Sequence, residues 1–107
     1  MPITRKGSAR KLDRAPGVVV HILTDGDAIT LVTVDMEPGS TVPSHTHVNE
    51  QTGTLLSGRL QFDIGDETID LQPGDAWMIP PNVRHEARAI DRCAIIEAFS
   101  PPREDWR

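Results

Sequence analysis

The sequence predicts an all-β domain of the sandwich or barrel kind, and three observations carry that prediction. Its apolar runs are short and rich in Val, Ile, Leu and Thr. Gly, Pro, Asp or Asn separate them at turn-like intervals, and no stretch keeps the period of a long amphipathic helix. With 107 residues, 37% of them hydrophobic, the chain has material for one core rather than two.

Residues 1–16 are expected to form a basic arm ahead of a single domain at 17–107. Five of the eleven basic groups (Arg5, Lys6, Arg10, Lys11, Arg14) fall within the first 17 residues beside one acid, Asp13. That segment carries +4 and the remainder −9 in a chain of formal charge −5. So acidic a body repels phosphate backbones, and the arm lacks the aromatics that single-strand binders interleave with their charges, so no nucleic-acid partner is expected. No apolar stretch of about 7–15 residues follows the basic residues, as a secretory signal requires. The longest apolar runs, such as Val18-Val19-Val20 and Ile95-Ile96, fall far below the roughly 18 to 20 residues of a membrane span. The expectation is a soluble, cytoplasmic protein with no membrane partner.

After the arm, Val18–Leu23 and Ile29–Met36 read as strands joined by a turn at Asp25-Gly26-Asp27, and Glu37-Pro38-Gly39 ends the second. From Leu60 the alternation is clean. Leu60, Phe62 and Ile64 share one face and Arg59, Gln61 and Asp63 the other, the two-residue period of a half-buried strand. Gly65-Asp66 turns the chain, and Ile69 and Leu71 resume the pattern up to Pro73-Gly74-Asp75. Further strands are expected at Ala76–Ile79, His85–Ile90 and Arg92–Phe99, about eight in all. Cys93, the single cysteine, cannot form an internal disulfide and reads as a small core hydrophobe. Trp77 and Met78 read as barrel filling, and His21 as a packed or hydrogen-bonded residue.

Two of the four histidines, His45 and His47, stand one residue apart in a strand-like segment, which puts both rings on one face as a possible metal clip. Gly39 precedes His45-Thr46-His47 by five residues. Three residues separate His47 from Gln51, and six separate Gln51 from Gly58. Downstream, Gly74 leads through Pro80 to His85. These spacings resemble the two motifs of the cupin family over residues 17–103, and the resemblance implies a cupin jelly-roll-like barrel, a double-stranded β-helix. It implies one divalent transition metal held by His45, His47, Gln51 and His85. Gln51 stands where most cupins have Glu; strand alternation and the family spacing both select it over Glu50. Asn82 and Ala89 also depart from the pattern, although Asn suits a left-handed turn residue after Pro80-Pro81. Three imidazoles and an amide leave the ion's +2 charge uncompensated and do not choose among Zn, Ni, Fe and Mn.

Past His85, inward parity assigns Ala87 and Ala89, side chains small enough to leave room beside a metal. Ile95, Glu97 and Phe99 share a face, and an acid among apolar neighbours is costly to bury unless it is paired or functional. The closing stretch Phe99-Ser100-Pro101-Pro102-Arg103-Glu104-Asp105-Trp106, with Asn49-Glu50-Gln51 and Ile79-Pro80-Pro81-Asn82-Val83, resembles the pectin-degradation protein branch of small cupins. Members of that branch convert 4,5-unsaturated monouronates into open-chain 4-deoxy-5-keto uronates. The resemblance implies Glu97 as the catalytic acid, Arg103 as a catalytic and substrate-binding residue, and Phe99 as a substrate-binding residue. The acid is usually Asp in that branch, and Gly53 stands where a polar pocket group is expected. An acidic sugar is the expected partner, together with a homodimer formed when the apolar strand after the arm pairs with a partner's sheet. The rival readings are a non-catalytic metal- or sugar-binding cupin and a non-haem metal dioxygenase.

Overall fold

Strand alternation decides which side chains the molecule encloses. In the computed structural model of the chain, which describes residues 2–107, the strands are β1 (Arg10–Ala15), β2 (Val18–Asp25), β3 (Thr30–Met36), β4 (Thr41–His45), β5 (Glu50–Ser57), β6 (Leu60–Ile64), β7 (Glu67–Leu71), β8 (Ala76–Ile79), β9 (His85–Ala89) and β10 (Cys93–Ser100). Along β2 and β3 every second residue is buried: Val18, Val20 and Ile22 on one, Val32, Val34 and Met36 on the other. Their side chains meet Leu55, Leu60, Phe62, Ile95 and Phe99 in one core, as expected where the inner faces of two sheets close on each other.

All pairings are antiparallel. One sheet has six strands in the order β1-β2-β3-β10-β5-β8, and the other has four in the order β4-β9-β6-β7. This is the all-β jelly roll that the spacings implied. Pro43 sits in β4, an edge strand where its missing N–H removes no ladder bond the fold needs. Asn82 takes the left-handed conformation, φ 66°, after Pro80-Pro81, and its N–H bonds the His47 carbonyl at 2.8 Å, tying together the two loops that carry histidines.

Three expectations change, and a fourth, that His21 is packed, holds on the outer face, its side chain 12% exposed. Residues 10–15 of the basic arm are a strand, β1, paired along β2. That pairing, with β3 on the other side, leaves β2 no open edge, so the proposed route to a dimer through this strand is closed. Met78 does not fill the barrel: neighbours on a strand point to opposite faces, and with Trp77 and Ile79 inside, Met78 is 55% exposed. For the same reason His21, between inward Val20 and Ile22, lies on the outer face. Its Nδ1 is 3.5 Å from Asp35 and makes no hydrogen bond. Cys93 is buried as expected, its thiol directed at the Arg59 carbonyl. Among the described residues no helix is long and apolar enough to cross a membrane.

Candidate active site

The four side chains expected to hold a metal meet at one end of the barrel. His45 closes β4, His85 opens β9 directly opposite it, and Gln51 lies near the start of β5. Val42 and His45 both face the cavity although they stand three positions apart, because the β4–β9 register is irregular between them and re-aims His45. His47 is not on a strand, as the alternation argument had it. It lies in the loop between β4 and β5, yet its ring centroid is 5.4 Å from His45 and 4.9 Å from His85. The ligand atoms of the three histidines lie within 4.8 Å of one another.

Hydrogen bonds to the main chain fix how these rings face. Nδ1 of His45 lies 2.8 Å from the Pro43 carbonyl, Nδ1 of His47 3.0 Å from that of Asn49, and Nδ1 of His85 2.9 Å from that of Val83. A carbonyl only accepts, so in each ring Nδ1 donates and Nε2 of the neutral form is left with its lone pair. Burial lowers all three pKa values, that of His45 to about 4, so the imidazoles are neutral near pH 7.

Two observations say that this set fits a cation. Nε2 of His85 is buried with no hydrogen-bond partner. Nε2 of His47 stands 2.9 Å from Oε1 of Gln51, which sets two lone pairs against each other. Reversing the amide would relieve that clash only if Oε2 of Glu97 donated to Gln51, which would commit the carboxyl's proton to the amide. A divalent ion between nitrogen and oxygen resolves it with borderline ligands of the kind Zn, Ni, Fe and Mn accept, and the main-chain bonds behind the rings are the outer support such ligands need.

Glu97 lies behind Gln51. It faces inward, 8% exposed, and its Oε2 accepts a bond from Nε2 of Gln51 and another, at 3.0 Å, from Nε1 of Trp77. Burial pushes its pKa up, partly offset by those two donors and by the charge of Arg103. The register explains both Gly53 and Trp77, whose role sequence reasoning missed. Gly53 sits between Glu97 on β10 and Trp77 on β8, and a Cβ there would come within 2.8 Å of both side chains. The absent polar group is thus replaced by an indole N–H that reaches across bare backbone. No signal along the chain links residues 53, 77 and 97; only strand pairing does.

The C-terminal stretch folds over the opening. Asn49, also missed, donates from Nδ2 to the Pro101 carbonyl at 2.6 Å and the Pro102 carbonyl at 3.1 Å. The Arg103 N–H bonds Thr30 Oγ1 at 3.1 Å. The guanidinium of Arg103 is buried 4.8 Å from the Phe99 ring centroid and 3.8 Å from that of Trp106, and Asp105 takes its Nε and Nη2 at 3.0 and 2.8 Å. Phe99 stands edge-on to His47 at 5.7 Å. His45, Gln51, His85, Ala87, Glu97, Phe99 and Arg103 thus line one cavity of about 40 Å³. Ala89 is buried beyond it. A wider depression of about 430 Å³ at the mouth includes His45, His47, Arg103, Asp105 and Trp106. Arg14 of β1, which no sequence signal singled out, lines both.

A two-sheet jelly roll that gathers three convergent imidazoles at one end defines a β-barrel with a set of side chains that could hold a metal ion. The chain belongs to the cupin family: residues 32–99 match the family model described as Cupin domain. Among solved structures, KdgF from Halomonas sp. superposes with a TM-score of 0.91 at 26% identity, over 100% of this chain and 99% of that one. An RmlC-like cupin from Shewanella frigidimarina gives 0.93 at 22% identity, over 100% and 96%, a likeness of fold. A Bacillus subtilis protein named H2HPP isomerase is 34% identical over 73 residues, 67% of this chain and 30% of that protein. The Streptomyces cyaneus protein named polyketide synthase CurC is 34% identical over 56 residues, 51% of this chain and 36% of its own. The chain therefore spans about a third of the length of the curated relatives it matches.

Proposed function

We propose that the protein is a metal-dependent cupin enzyme that converts 4,5-unsaturated monouronates into open-chain 4-deoxy-5-keto uronates. The observation that carries this reading is that Glu97, a buried acid in contact with Gln51, lines one cavity with His45, His85, Phe99 and Arg103. These are the groups that the resemblance to the pectin-degradation branch assigns to this reaction. Likeness to KdgF over the full chain supports it, and the name of the Bacillus relative supports an isomerisation in general.

His45, His47, Gln51 and His85 would hold the ion. When bound there, it supplies Lewis acidity toward the substrate carboxylate and ring oxygen. Glu97 holds a proton in apolar surroundings that favour the acid form and delivers it to C4 of the enol ether. The C1 hydroxyl gives up a proton as the bond from C1 to the ring oxygen breaks, so C5 ends as a ketone and C1 as an aldehyde with no net gain or loss of atoms. Gln51 and Trp77 fix the Glu97 carboxyl, and Phe99 walls the pocket beside His47. Arg103 keeps Nη1 for the substrate while Asp105 occupies its other donors.

The dioxygenase alternative expects two histidines and a carboxylate on iron. Among the described residues the convergent group is three histidines, with Glu97 hydrogen-bonded to the amide instead. The direct test loads the protein with Ni, Zn, Mn or Fe(II), adds unsaturated galacturonate and follows loss of the conjugated double bond's ultraviolet absorbance. Loss in wild type and none in His47→Ala is expected; no loss with any metal leaves the non-catalytic binding protein as the better account.

A further inference from the structure

Arg14 interrupts β1 instead of extending it. Its neighbours Asp13 and Ala15 pair with Val19 and Val18, two adjacent residues of β2, so Arg14 has no cross-strand partner and forms a bulge. Arg14 follows Leu12, whose partner Val20 is buried, by two residues, so it continues the inward row of β1, and the bulge leaves it facing inward with no residue of β2 opposite it. Here the guanidinium is sent to the cavity that holds His45, Gln51 and Glu97, and to the depression at its mouth.

The electrostatics of that position are unfinished. Arg14 is half-buried, and among the described residues it makes no hydrogen bond and no ion pair. Burial and the charge of Arg103 both hold its pKa below the ordinary arginine value, and the acid that opposes them, Asp105, is already taken by Arg103. The two arginines thus differ. Arg103 is clamped between Phe99 and Trp106 with two of its five N–H donors held by Asp105. Arg14 keeps all five N–H donors in a planar fork of the shape that accepts a carboxylate through two parallel bonds. A desolvated cation without a counter-ion is unfavourable, and an incoming anion would relieve it.

We propose that Arg14, on the inward row of β1, is the residue that receives the carboxylate of the acidic substrate at the mouth of the cavity, with Arg103 as the rigid wall beside it. This rests on the uronate reading for the class of substrate. It assigns the anchoring of the anion to the N-terminal strand, away from the motifs that carry the metal.

Calorimetric titration of the metal-loaded protein with galacturonate, a saturated sugar acid that cannot undergo the reaction, and with its neutral methyl ester tests this. Wild type should prefer the acid. Arg14→Gln should weaken the acid about 10- to 100-fold, the range of a lost hydrogen bond to a charged group, and leave the ester unchanged. Arg14→Lys should recover part of the loss. A bulge residue contributes no ladder bond of its own pair, so both variants should fold, and an unchanged urea midpoint and metal stoichiometry would confirm it. Unchanged acid affinity in Arg14→Gln, an equal loss for acid and ester, or no galacturonate binding to wild type at millimolar concentration overturns the assignment. If wild type selects acid over ester through Arg14 yet never turns over unsaturated galacturonate, the linearising reaction falls and the role of Arg14 stands.

Discussion

The inward rows of β5, β9 and β10 are apolar at one end of the barrel and polar at the other. They run from Leu55 through Gly53 to Gln51, from Ala89 through Ala87 to His85, and from Cys93 and Ile95 to Glu97. Both ends obey the same alternation and both are buried, so burial alone does not set them apart. At the packed end Leu55, Leu60, Ala89 and Cys93 are each 1% exposed and have little polar to satisfy. At the other end each polar atom with a partner found it inside the site: the Nδ1 atoms on carbonyls, Gln51 and Trp77 on Glu97. Such a network is stable when complete and costly when one member is lost. The packed end therefore holds the fold, and the polar end holds geometry.

Exchanging one residue at each end should separate these two roles. The larger effect is expected from Glu97→Gln, whose amide oxygen still accepts from Gln51 and Trp77 but cannot supply the proton. Turnover of unsaturated galacturonate should fall about 10²- to 10⁴-fold, the usual worth of a general acid, with metal stoichiometry and urea midpoint unchanged. Full turnover in that variant removes Glu97 from the chemistry. Leu60→Ala at the packed end should do the reverse. It should cost about 2–5 kcal/mol of stability, as truncated core leucines do, while kcat of the folded fraction stays the same. A large fall in kcat at an unchanged midpoint would show that the two ends are not independent.

What was legible in the sequence follows the same division. Period-two alternation is local, so the face that Glu97 shares with Ile95 and Phe99 could be read directly, though not that this face points inward, and His45, His47, Gln51 and His85 stood at family spacing along the chain. What could not be read depends on pairing between distant strands. Gly53 looked like a missing polar group until the register set it between Trp77 and Glu97. The basic run in residues 10–15 looked like a solvated arm because Leu12, Ala15 and their polar neighbours carry little apolar signal, yet pairing with β2 makes it a strand. Arg14 follows from the same pairing: it shares the face of Leu12, and only the pairing of β1 with β2 turns that face toward the cavity.

The smallest effect expected is a titration that opposes itself. In the metal-free protein the depressed pKa of His45, about 4 against an ordinary 6.5, means that the unfolded chain takes up its proton first as the pH falls. The stability tied to a neutral ring is complete above the unfolded value and drains away between about pH 6.5 and 4; His47 and His85 act in the same direction. Glu97 acts in the other. Its raised pKa gives the folded state the higher proton affinity, a contribution present at low pH and lost as the pH rises through the folded value. Wild type stripped with a chelator should therefore lose stability only gently between about pH 7 and 5, and the same protein carrying Glu97→Gln should lose it more steeply, because the opposing carboxyl is gone. Urea midpoints across that range, measured on both proteins, decide it. Parallel curves would mean that Glu97 titrates as an ordinary carboxyl, which its burial argues against.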